Sequence, residues 1–358
     1  MPRPAMHAHG TPTTSTPTVS TPTVSAPGTG PAPLQGPPAI SLPLAVQSLP
    51  LPRTLRRTIA DTDLTVHPLA LGTSVFGWTA DGETSARVLD RHRDLGGNFL
   101  DTADSYTSGR SEVIVGSWLR SRGARDSTVI ATKIGKNRDN PGLSPRSIVG
   151  AVQASLDRLG TDYIDLLHFH FDDPTVPLEE SLGAVDGLIR SGRVRYLAAS
   201  NFSAERLMEA RVLAANGLPR FVALQTEYSL LRRAPFESSL ALVTKAQGMS
   251  VLPYFALAHG FLAGRYRSKS DVTKTTRGAR AAKYLTRAGL RMLAVVDRIA
   301  EQHAVAPATI AIAWLLARGQ VVAPVASASH PDQVEALVAA AGIRLTRGDM
   351  MDLDRVST

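Results

Sequence analysis

A (β/α)8 barrel is the fold this chain predicts, and three observations predict it. Short apolar, β-branched runs alternate with amphipathic segments from Arg57 onward, and eight such units can be counted. Three of the runs, FLDTADSY, VIATK and DYIDLLHFH, end in groups that can hold or move a proton, which is where a barrel opens onto its working face. No GxGxxG follows an early strand, so the fingerprint of the rival doubly wound sheet is missing.

The strands are expected near Leu69–Thr73, Asn98–Asp101, Thr128–Lys133, Ile164–His170, Val194–Ser200, Phe221–Thr226, Ser250–Tyr254 and Val321–Ala326. Ahead of them, Thr58 to Val66 with Asp61-Thr62-Asp63 as its turn suits a hairpin that plugs the barrel bottom. The segment from Ser144 shows the local chemistry of a helix. Ser144 can cap, Pro145 fits the first helical position, Ile148, Val152, Leu156 and Leu159 share one face, and Gly160 ends it. Residues 1–52 form a Pro/Thr/Ser-rich tract with the near-repeat STPTVSTPTVS and almost no charge, read as a disordered tail before a barrel domain over 53–358.

Bulk properties narrow the function classes. The chain has 358 residues, 43% of them hydrophobic, and no cysteine, which removes disulfides, thiolate metal sites and cysteine nucleophiles and suits a reducing cytoplasm. Its formal charge of +8 is dispersed, so an anionic dinucleotide is a more economical partner than nucleic acid or a membrane. No apolar run approaches the ~20 residues that span a bilayer.

Reduction of a carbonyl needs a proton donor within hydrogen-bond reach of the developing alkoxide. Tyr106 can be that donor if an ammonium stabilises its phenolate, and Lys133 is a candidate ammonium. Asp101 would hold and neutralise Lys133, and His170 would orient the substrate oxygen. Taken singly, each residue is more simply a rim group or half of a structural ion pair. His168, two residues before His170, points to the same side of a strand, but two histidines without a recurring carboxylate do not make a metal site, so a barrel-filling role and no metal are expected.

The ordered motifs LGGNFLDTADSY, IATK, DYIDLLHFHFDDPTVPLEE, SGRVRYLAASNFS, LQTEYSLLRR and VLPYFALAHGFLAGRY resemble the aldo-keto reductase family, over nearly everything from Arg57 to Thr358. The resemblance implies a (β/α)8 barrel carrying NAD(P)(H) across its C-terminal face. It also implies a catalytic tetrad of Asp101, Tyr106, Lys133 and His170. By the same resemblance Ser200, Asn201 and Gln225 hold the nicotinamide carboxamide, Tyr254 stacks on its ring, and Leu257, Gly260, Leu262 and Gly264 belong to a loop around the pyrophosphate.

Further along, Arg280 on the polar insert Arg265 to Arg280 is a phosphate candidate. Ser327, Ser329 and Leu337 stand where many relatives carry Gly, then Lys or Arg, then an Asn near the adenine, and Gln333 is a neutral contact; with no cation for the 2′-phosphate, these groups imply weak discrimination between NADPH, the first choice, and NADH. Val75, Phe76 and Trp78 are expected to form an apolar wall for a small carbonyl substrate, while Asp172 stands where the family usually has Pro. Two rivals accompany this reading. One is a nucleotide-sensing barrel with little turnover; the other is a glycosidase using Asp101 and Glu227.

Overall fold

The computed structural model describes residues 55–357, so the expected tail over 1–52 lies outside the described residues. Two short strands, β1 (Arg57–Thr58) and β2 (Thr65–Val66), pair antiparallel. Eight parallel strands follow: β3 (Ala70–Gly72), β4 (Phe99–Asp101), β5 (Val129–Ile134), β6 (Ile164–Phe169), β7 (Val194–Ser200), β8 (Phe221–Glu227), β9 (Ser250–Tyr254) and β10 (Val325–Ala326). They hydrogen-bond in the order β10-β3-β4-β5-β6-β7-β8-β9. A bridge between Val251 and Val321 brings the ends together, with Val251 N donating to Gln320 O (2.9 Å) and Val322 N to Val251 O (3.0 Å). The eighth run was expected to be continuous from Val321 to Ala326. Instead the ladder breaks in the middle, where Pro324 has no N–H to give, although its carbonyl accepts from Ala70 N (3.0 Å).

The two-residue period of the strands decides what fills the barrel and what it presents. Ala70, Phe99, Ala131, Leu166, Ala198, Ala223, Leu252 and Ala323 form one buried interior cluster. A step of two residues toward the C-terminal end moves from Phe99 to Asp101, Ala131 to Lys133, Leu166 to His168, Ala198 to Ser200, Ala223 to Gln225 and Leu252 to Tyr254. An apolar lower layer thus supports a polar upper one. The alternate residues, such as Leu71, Leu100, Ile130, Leu167 and Leu224, face outward into the clusters shared with the helices.

The expected hairpin closes the lower end. Ile59, Leu64 and Val66 are at most 1% exposed and pack into the interior cluster, so the barrel floor is apolar and dry. Ala60 N donates to Ser250 Oγ (2.7 Å), Asp63 accepts from Arg195 Nη2 (2.6 Å) and Tyr196 Oη (2.9 Å), and Asp61 pairs with Arg220.

Around the sheet, helix Pro145–Leu159 begins and ends as its sequence requires: Ser144 Oγ accepts from Ser147 N (3.2 Å) and Gly160 adopts φ 64°. Its neighbour Arg110–Arg122 approaches so closely that a Cβ on Gly116 would lie 2.4 Å from Leu159 O, which is why that position carries no side chain. Among the described residues no single helix is long and apolar enough to cross a membrane.

Candidate active site

Asp101, Lys133 and His170 sit at the C-terminal ends of strands, over the polar layer, and Tyr106 opens the short turn Tyr106–Gly109 in the loop after β4. Lys133 Nζ lies 2.8 and 2.7 Å from the two carboxylate oxygens of Asp101 and 2.8 Å from Thr102 O, with the lysine 1% and the aspartate 2% exposed. So complete an ion pair can be buried because every charge has a near partner. Gln225 Nε2 donates to Asp101 Oδ1 (2.7 Å), a link between the tetrad and the expected carboxamide site that the sequence alone did not suggest. Burial pulls the Lys133 ammonium down, but Asp101 and Tyr106 outweigh it and hold its pKa above the ordinary lysine value.

Tyr106 follows directly from the β4 strand end and is half-buried. Lys133 Nζ lies 5.1 Å from its ring centroid, and the His170 ring stands edge-on to it at 6.2 Å. The expected pull of Lys133 toward an easier proton is present, yet burial is larger, and the phenol's pKa is raised above its ordinary value. His170 is lowered to about 3 by burial first and then by Lys133 and Lys136, so it is a neutral imidazole with one N–H to donate. Its Nδ1 has no hydrogen-bond partner among the described residues. His168, in register with Lys133, is fully buried with neither ring nitrogen bonded, and burial keeps it neutral, as expected of a barrel-filling group.

Of these groups Tyr106 and His170 open into a cavity of about 1110 Å3, near the upper end for small-molecule sites, while Asp101, Lys133 and His168 lie buried behind them. Tyr106, His170, Ser200, Asn201, Gln225 and Tyr254 line it, as do Ser329, Gln333, Ala336 and Leu337. Tyr254 Oη donates to Asn201 Oδ1 (2.7 Å), while Asn201 Nδ2 donates to His170 O (2.9 Å) and Ser200 Oγ (3.1 Å). Asn201 achieves this in left-handed backbone at φ 59°, and Thr107, Ser108, Phe255, Ala258 and His259 on the same face are also left-handed. Strained backbone gathered at one face marks a working site.

Three guanidinium groups, Arg265, Arg277 and Arg280, also line the cavity, and none has a carboxylate partner among the described residues. Arg277 and Arg280 lie 5.7 and 5.9 Å from the Trp78 ring centroid. Burial, followed by Arg265 and then Arg280, lowers the Arg277 pKa. Of these only Arg280 was singled out beforehand as a phosphate group. A cavity of this volume lined by unpaired cations, by the Asn201 and Gln225 amides and by the apolar Ala336 and Leu337 has the donor set that a dianionic dinucleotide needs.

Other expectations are redistributed. Leu257 and Gly260 line the cavity, but Leu262 is fully buried in the core cluster with Phe261 and Met292, and Gly264 only ends the short turn Ala258–Ala263 at φ 76°. Val75 and Phe76 are likewise 0% exposed in the core, leaving Trp78, 46% exposed, as the wall from the first loop. Ser327 faces the cavity 3.4 Å from Ser74 Oγ. Gln333 Oε1 accepts from Ser329 N (3.0 Å) and so staples its own turn. Asp172 is held by Arg206 through two 2.8 Å bonds and is not offered to a substrate.

The family comparison supports the class of a carbonyl oxidoreductase on this barrel. The aldo/keto reductase family model matches residues 68–358, and the chain belongs to that family. It is 32% identical over 307 residues to norsolorinic acid reductase stcV of Emericella nidulans, covering 81% of this chain and 78% of the relative. Protein tas of Escherichia coli is 30% identical over 333 residues (83% and 96%), and aldo-keto reductase str7 of Strobilurus tenacellus is 32% identical over 286 (78% and 83%).

Proposed function

We propose that the chain reduces an aldehyde or ketone to an alcohol, or runs the reverse oxidation, with NADPH as first cofactor and NADH as second, in a reducing cytoplasm. The observation that carries this reading is the buried Asp101–Lys133 pair beside Tyr106 and a neutral His170, the latter two lining a cavity that also holds unpaired arginines. When bound, the dinucleotide supplies hydride to the carbonyl carbon.

The chain's own groups do the rest. His170 donates a hydrogen bond to the carbonyl oxygen and orients it, and Tyr106 passes its phenolic proton to that oxygen as charge develops. Lys133 stabilises the phenolate left behind, which matters most in this buried setting, where the resting phenol gives up its proton reluctantly. Asp101 keeps Lys133 charged and fixed. Ser200, Asn201 and Gln225 orient the carboxamide, Tyr254 covers the ring, and Arg265, Arg277 and Arg280 hold the phosphates, while Trp78 walls the substrate side.

The glycosidase alternative loses its support, because both oxygens of Asp101 are occupied by Lys133 and one also by Gln225. A panel of aldehydes and ketones assayed with NADPH and NADH in parallel tests the proposal. Oxidation of cofactor by at least one carbonyl class is expected; tight cofactor binding without turnover on any member would favour the nucleotide-sensing alternative.

A further inference from the structure

We infer that Asp104 is a positioning residue for Tyr106: its main chain seats the Asp101–Tyr106 segment against the Lys133 strand, and ionisation of its buried carboxyl unseats that segment. The inference rests on Tyr106 being the proton donor. Asp104 lies within the same DTADSY motif, yet the mechanism above does not use it. Its main chain is tied to the site on two sides, the N–H donating to Lys133 O (3.0 Å) and the carbonyl accepting from Asn137 Nδ2 (2.7 Å). The side chain is 0% exposed, and neither carboxyl oxygen has a close hydrogen-bond partner.

Nearby buried acids are different: Asp101 is paired with Lys133, and Glu112 accepts from Thr132 Oγ1 (2.6 Å) and Arg158 Nε (2.7 Å). A carboxylate buried without close side-chain donors is costly, so burial favours the protonated form. The charged groups facing Asp104 are Glu112, from helix Arg110–Arg122, and Arg158, from helix Pro145–Leu159; the Gly135 and Asn137 amides lie alongside at longer range. Arg158 is already engaged by Glu112, so a second negative charge meets repulsion with little compensation. Burial first and Glu112 second push the Asp104 pKa up to about 7. The tetrad partners are silent there, with His170 near 3 and both Tyr106 and Lys133 raised above their ordinary alkaline values.

The test is kcat/KM for 4-nitrobenzaldehyde from pH 5 to 9.5 in wild type, Asp104→Asn and Glu112→Gln, with melting temperatures alongside. Wild type is expected to lose at least fivefold through an inflection near pH 7. Asp104→Asn, permanently neutral, should stay within twofold over the same range, and Glu112→Gln should move the inflection to lower pH. Parallel profiles in wild type and Asp104→Asn, or an Asp104→Asn enzyme inactive at every pH, would overturn the inference. If wild type turns over no carbonyl, it is the proposed activity that fails, and the melting data then judge Asp104 alone. Because its folded pKa is raised, wild type should lose stability relative to Asp104→Asn as pH rises from about 4 to 7; equal pH dependence would overturn it.

Discussion

Replacing Lys133 by Met removes the ammonium from a pair in which both side chains are at most 2% exposed. Asp101 is then a buried carboxylate whose remaining side-chain donor is Gln225 Nε2 at 2.7 Å. Breaking a buried pair from one side costs about 3–5 kcal/mol, because the remaining charge is left uncompensated. At about 2 °C per kcal/mol for a domain of this size, that is a fall of roughly 6–10 °C in melting temperature. A folding loss in Lys133→Met therefore accompanies a catalytic lysine as readily as a structural one, and the single variant cannot separate them. The double variant Asp101→Asn/Lys133→Met can, since it leaves no buried charge: it should lose no more stability than the worse single variant, a coupling of about 2–3 kcal/mol. Urea and thermal denaturation of all four proteins at pH 7 measure this, with dinucleotide affinity and turnover beside them. Strictly additive losses, or a Lys133→Met loss below about 1 kcal/mol, would refute the reasoning; recovered stability with cofactor still bound and turnover still absent would assign the lysine to chemistry.

Arg277→Ala and Arg280→Ala should each weaken dinucleotide binding about tenfold, the worth of one charge-assisted hydrogen bond, and unchanged dissociation constants would remove the arginines from the phosphate site. Measured for both cofactors, a larger loss for NADPH than NADH in Arg280→Ala would place that residue on the 2′-phosphate, while equal losses would place it on the phosphates both share. Acid should destabilise the fold through His67 and His92, which burial holds at about 4 and about 3. Groups with depressed folded pKa values give stability that is present above the unfolded value of 6.5 and is lost as pH falls below it, about 2 kcal/mol for each between pH 7 and 5. A His67→Gln variant should show a shallower loss over that range, and an equal slope would contradict the assignment.

The barrel was legible in the sequence because its strands obey one period. Phe99 and Asp101, or Ala131 and Lys133, lie two residues apart, so inward packing and the active face could be read from the same runs. The Asp101–Lys133 contact followed from strand order, and the two groups lie within 2.8 Å of each other. What escaped was set by tertiary distance. Nothing near Arg277 announces that it reaches Trp78, about 200 positions earlier, because the insert has no apolar period and folds as short helices at Lys269–Thr273 and Gly278–Ala281. The inward turn of Leu262 and the engagement of Asp172 by Arg206 likewise depend on neighbours remote in sequence. Nothing in the DTADSY motif itself marks Asp104 as buried; its 0% exposure depends on packing from elements remote in sequence.

The central claim, a phenol that donates the proton to a carbonyl, is tested most directly by single-turnover reduction followed at the nicotinamide absorbance in wild type and Tyr106→Phe. Positioned general acids contribute about 10²–10⁴ in rate. The account predicts a loss of at least a hundredfold in Tyr106→Phe, with dinucleotide affinity within twofold of wild type because only a hydroxyl is removed. Near-normal turnover in that variant would contradict it.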